Sequence, residues 1–144
     1  MQAIEQATTY FQSGFNCSQA VCAAFAEELG VEKNTALRAA AGFGGGIGRM
    51  ADTCGAVTGA IMVLGLKYGA IAPGAEGKAQ MYEYVRIFVE LFRARHQSIV
   101  CRELLQCDIS TPAGRAQAHQ DHVFTTQCPK FIHDAAEILT EMLK

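Results

Sequence analysis

The sequence has no dense lysine or arginine block, no long apolar run and only three prolines, and each shortage excludes something. Without a basic cluster, and with a formal net charge of −2, the chain carries no electrostatic footprint for nucleic acid. The longest apolar stretch, Cys54 to Leu66, is interrupted by Gly55, Thr58, Gly59 and Gly65. A spanning helix needs roughly 20 apolar residues, so no membrane insertion is expected. The N-terminal MQAIEQATTYFQ has neither the basic start nor the apolar run of a signal peptide, which points to a cytoplasmic protein. Charged residues make up only 18% of the chain and hydrophobic ones half of it, a balance that excludes disorder. No CxxC pair is present, so local spacing supports neither a thioredoxin-like site nor a zinc ribbon. No Ser-His-Asp or paired-carboxylate arrangement can be read.

Strand patterns are missing too: no segment alternates with period two for long enough. Helical spacing is present almost throughout. Ile4, Ala7 and Phe11 form one face of a first helix ended by Gly14, and Ala20, Val21, Ala24 and Phe25 form a second that closes near Gly30. A short third segment, about 35–41, leads into the glycine cluster Gly42 to Gly48, and a fourth helix covers about 53–68. The longest helix is expected over about 76–106, on the stripe Met81, Val85, Phe88, Phe92 and Ile99. Thr111-Pro112 opens a short helix, and the last begins at Pro129. All three prolines fall at proposed boundaries, and there is no internal repeat. Residues 1–144 therefore read as a single all-α domain, a helical bundle of about five to seven helices. Glu83 and Arg86 belong to a solvated helix face.

Six cysteines stand out: Cys17, Cys22, Cys54, Cys101, Cys107 and Cys128. In a reducing cytoplasm they suit metal ligation or thiol chemistry better than structural stapling. Asn16, with Gln19 three residues on, has the pattern of a capping box, which puts Cys17 at the first helical residue. Asp52 or Thr53 caps the fourth helix, which puts Cys54 in its first turn. Cys128 precedes a helix-opening proline and is the expected N-cap of the last helix. At such positions the unpaired N–H groups and the helix dipole favour thiolate over thiol. Cys101 is expected late in the longest helix, with Cys107 near or past its end. Cys22 shares a face with Phe25 and Leu29 and reads as core.

The loop GFGGGIG followed by Arg49 is neither a Walker loop nor a dinucleotide fingerprint. Gly44, Gly45 and Gly46 are its candidate binding residues, either holding an anion or letting backbone approach a site closely. Arg49 would assist a nearby thiol if the loop folds back. Gly55, Gly59 and Gly65 suggest close helix–helix packing. His119 and His122 have helical i, i+3 spacing and read as surface residues or an additional metal site.

Cys17, the segment Cys54-Gly-Ala-Val-Thr-Gly59, Cys101 and Cys128 together resemble the C_GCAxxG_C_C family of redox-active proteins, as do the GFGGGIGR lead-in, the CREL segment and the CPKFIHDAAEIL ending. The resemblance covers almost the whole chain. It implies a signature set of Cys17, Cys54, Cys101 and Cys128, with Cys22 and Cys107 outside it. A related domain in split-Soret cytochromes is associated with an iron–sulfur centre, but the CxxCH haem signature is missing here. Three functions compete. The first is thiol–disulfide or electron-transfer chemistry by the four cysteines with a redox partner protein, Cys54 being the expected nucleophile because the glycine-rich loop leaves it least obstructed. The second is an iron–sulfur or zinc module held by the same four. The third is a helical interaction protein without redox activity. A homo-oligomer is left open.

Overall fold

Nine α-helical segments run through the computed structural model, which describes residues 2–144. They are α1 (Gln2–Gln12), α2 (Cys17–Ala26), α3 (Lys33–Ala40), α4 (Gly55–Tyr68), α5 (Ala75–His96), α6 (Cys101–Leu105), α7 (Pro112–Gln120), α8 (Val123–Thr126) and α9 (Cys128–Met142). Among the described residues the only extended pairing is an isolated antiparallel bridge between Thr53 and Val100. The fold is all-α. The helix count exceeds expectation because α6 and α8 are very short and the expected longest helix is two helices.

That division has a local cause. Gln97 adopts a left-handed conformation, φ 74°, and its N–H closes onto the Arg93 carbonyl at 2.7 Å, which ends α5. The chain then bends at Ile99, is extended at Val100 and restarts as α6 at Cys101. Cys101 is thus not late in a long helix but the first residue of a new one.

The core is built on α2, α4 and α9. Val21, Val57, Val63, Leu64, Ile132 and Leu139 are fully buried, and Phe88 and Phe92 anchor α5 against them. Glycine allows α2 and α4 to approach closely. A Cβ on Gly59 would stand 2.6 Å from the Ser18 carbonyl oxygen, and one on Gly55 would stand 3.0 Å from the Cys17 Cβ. The buried Thr58 hydroxyl donates to Ser18 Oγ at 3.1 Å across this seam. Gly65 meets only the end of Met81, at 3.9 Å, so close packing is confined to the first two glycines of α4.

Candidate functional site

Four helix starts meet around one cavity. Cys17 opens α2 behind a complete capping box: the Gln19 N–H donates to Asn16 Oδ1 at 2.8 Å, and the Asn16 N–H donates to Gln19 Oε1 at 3.0 Å. Cys54 is the N-cap of α4, Cys101 the first residue of α6, and Cys128 the first residue of α9, one position inside the N-cap Gln127. All four line a cavity of about 540 Å³. Cys22 and Cys107 do not line it; Cys22 lies in a separate small core with Ala26, Ala36 and Ala40.

The Thr53–Val100 bridge joins two of the four. The Cys54 N–H donates to the Ile99 carbonyl at 2.7 Å, and the Cys101 N–H donates to the Asp52 carbonyl at 2.6 Å. In that register Cys54 and Cys101 are diagonal neighbours on one face of the pair. Arg102 secures the same junction, its Nε donating to the Ala51 carbonyl at 3.1 Å and its Nη2 to the Met50 carbonyl at 3.3 Å.

The glycine-rich segment forms a left-handed coil. Gly45, Gly46, Ile47, Gly48 and Arg49 all have φ between 56° and 71°, and Ala51 has φ 58°. Each non-glycine residue there costs about 1–2 kcal/mol relative to right-handed backbone, and β-branched Ile47 is the least suited to it. The N–H groups from Ile47 through Asp52 all donate to carbonyls within the segment, including Asp52 to Gly46 at 2.8 Å. What Gly44, Gly45 and Gly46 provide is closeness. A Cβ on Gly44 would meet Asn16 at 2.6 Å, one on Gly45 would meet Arg49 Cγ at 2.9 Å, and one on Gly46 would meet the Cys101 Cβ at 2.7 Å. The loop is pressed against the starts of both α2 and α6.

Helix-start position does not by itself make these thiols acidic. Burial pushes Cys54 up to about 12, against the pull of the Ala56 and Val57 N–H groups, which lie beside the sulfur without a full capping hydrogen bond. Burial likewise pushes Cys101 up to about 12, helped by Cys54 and Cys128. Cys54 is only 5% exposed, so the glycine-rich loop does not leave it open. Low-dielectric surroundings outweigh the dipole here.

Cys17 and Cys128 behave differently because each thiol feels the other. That interaction raises Cys17 well above an ordinary thiol, with burial adding to it, and lowers Cys128 against its own burial. Of the two, Cys128 is therefore favoured as the first to lose its proton. Cys17 is half-buried.

A family model described as "Putative redox-active protein (C_GCAxxG_C_C)" matches residues 15–142, a span that includes all four cavity cysteines and Cys54-Gly-Ala-Val-Thr-Gly59. The chain belongs to the C_GCAxxG_C_C family. No curated protein and no solved structure matches it significantly. In this family member the glycines of the CGAxxG segment seat α4 on α2, which brings Cys54 beside Cys17.

Among the described residues, no group of three or more His, Cys, Asp or Glu side chains is placed to hold a metal ion. The four thiols share a cavity, but as arranged they do not fit a single-ion site. His122 lies outside the cavity, at the left-handed start of α8, so it does not pair with His119 as helical spacing would suggest. His119 does line the cavity, its ring 4.9 Å from Phe124. Arg115 lines it too; His119 is singled out in the sequence only by its spacing to His122, and Arg115 carries no sequence signal at all.

Proposed function

We propose that this C_GCAxxG_C_C protein is a thiol–disulfide oxidoreductase in which Cys128 attacks and Cys17 resolves. The observation that carries the reading is that Cys17 and Cys128 open α2 and α9 at the wall of one cavity, with Cys128 held below the ordinary thiol value by its interaction with Cys17. A thiolate is the nucleophile in disulfide exchange, and the helix dipole adds to the stabilisation Cys17 supplies. The Cys128 thiolate attacks one sulfur of a substrate R–S–S–R, forming a mixed disulfide and releasing RS⁻. The Cys17 thiolate then attacks the Cys128 sulfur, closing the Cys17–Cys128 disulfide and releasing the second RS⁻. Two electrons pass from the protein thiols to the substrate, and the two thiol protons leave with two RSH. A redox partner protein in a reducing compartment such as the cytoplasm returns the pair to the dithiol. Cys54 and Cys101, neutral at pH 7, form a second pair in the same cavity.

The test is disulfide mapping on protein purified without oxygen and then oxidised with diamide, with metal content measured beforehand. The expected product is a Cys17–Cys128 disulfide, lost in Cys17→Ser and Cys128→Ser and kept in Cys22→Ser. A first disulfide elsewhere would refute the assignment. Stoichiometric iron or zinc bound through the four cysteines would replace it with the metal-module reading.

A further inference from the structure

We infer that the cavity accepts a small organic disulfide bearing carboxylates, with Arg49 and Arg115 holding the charged groups above Cys128. This rests on the thiol–disulfide reading and adds the substrate class. The volume of about 540 Å³ lies within the range of small-molecule sites. Its walls are largely apolar, with Phe11, Phe15, Ile109 and Phe131 among them.

Charge selects the ligand. The chain has 14 acidic residues against 12 basic ones, yet no Asp or Glu lines the cavity, while two arginines do. Among the described residues neither arginine is in a salt bridge. Arg115 is anchored by one N–H to the Ile109 carbonyl at 3.1 Å, which leaves most of its guanidinium fork for a ligand. Arg49 is held by the left-handed coil, φ 63°, with its stem over the missing side chain of Gly45. Strained backbone of this kind concentrates at functional sites. An arginine fork suits a carboxylate in two-point contact, and an apolar wall beside it suits the carbon skeleton of a thiol compound. The buried sulfurs, 7% exposed at Cys128, favour a molecule that enters the cavity over a disulfide on a folded protein surface.

The experiment follows single-turnover oxidation of the reduced protein by three small disulfides. They are dithiodiglycolate, a dianion; bis(2-hydroxyethyl) disulfide, which is neutral; and cystamine, a dication. Each rate is divided by that of the same disulfide with free mercaptoethanol. The dianion should lead the neutral compound by about tenfold or more, the effect expected of one charge-assisted contact, with the dication slowest. Arg49→Gln and Arg115→Gln should each remove most of that lead, and Arg115→Lys should restore part of it. Circular dichroism and a free-thiol titration report that each variant is folded and its cysteines intact. Equal normalised rates, a dianion preference untouched by both Gln variants, or faster oxidation by insulin disulfides would overturn the substrate class and leave the thiol chemistry standing. If no disulfide oxidises Cys17 and Cys128, both readings fall.

Discussion

At the scale of single residues, the six cysteines differ in what surrounds each sulfur rather than in where each falls in the sequence. Asn16, the Cys54 region and Pro129 are legible as helix starts because capping residues and proline act locally. Depth of burial is not local: Cys54 is buried and raised, while Cys128 is lowered by a partner 111 positions away in sequence, Cys17. The buried thiols also give a pH prediction. A group whose folded pKa is raised contributes stability that is fully present below its unfolded pKa and is lost as pH rises toward the folded value. For Cys54 and Cys101 that window runs from about 8.5, the ordinary thiol value, to about 12. Urea unfolding of the reduced protein should therefore show stability falling above pH ~8.5, by about 1.4 kcal/mol per pH unit for each of these thiols. Cys54→Ala should make that decline shallower. A decline of the same slope in the variant would mean that Cys54 titrates as an ordinary thiol.

Among the elements, the helices with strong local signals stand where the sequence puts them, and the exception is instructive. The apolar stripe Met81, Val85, Phe88 and Phe92 is continued by Ile99 at the next heptad, so periodicity runs through the actual break. The chain turns there on Gln97 in a left-handed conformation, a position more often filled by glycine or asparagine, so no breaker residue marks it. The consequence is large, because the segment 98–100 makes the bridge that sets Cys101 beside Cys54. The left-handed coil of 45–49 was equally hidden, since Ile47 and Arg49 have no local reason to adopt positive φ. The CGAxxG segment is the reverse case, its glycines readable as helix packing. Gly59→Ala should destabilise the protein by about 1–3 kcal/mol, because its Cβ would meet the Ser18 backbone carbonyl at 2.6 Å. The roughly 1 kcal/mol of helix propensity gained by replacing glycine does not offset that. Chemical denaturation reads this directly, and an unchanged midpoint would mean that the α2–α4 seam has slack.

In the whole molecule, a bundle carries residues far apart in sequence to one cavity, and this is why no short motif announces the site. Composition and periodicity made the all-α class legible, and the resemblance made the four-cysteine set legible. Arg115 was not, nor was the place of His119 beside the thiols, because only the docking of α7 brings them there. In the proposed mechanism the α9 start supplies the attacking sulfur and the α2 start the resolving one, while Gly45, Gly46 and Arg49 of the glycine-rich coil line the same cavity. The central claim is that Cys128, not Cys54, is the thiolate of this set. The most direct test is competitive iodoacetamide labelling of the reduced, metal-free protein from pH 5 to 9, with each cysteine followed by mass spectrometry. Cys128 should be alkylated first, at a rate that levels off below the ordinary thiol pKa of about 8.5, while Cys54 and Cys101 lag throughout. Labelling of Cys54 as fast as Cys128, or a Cys128 rate that climbs through pH 9 like that of a free thiol, would contradict the account.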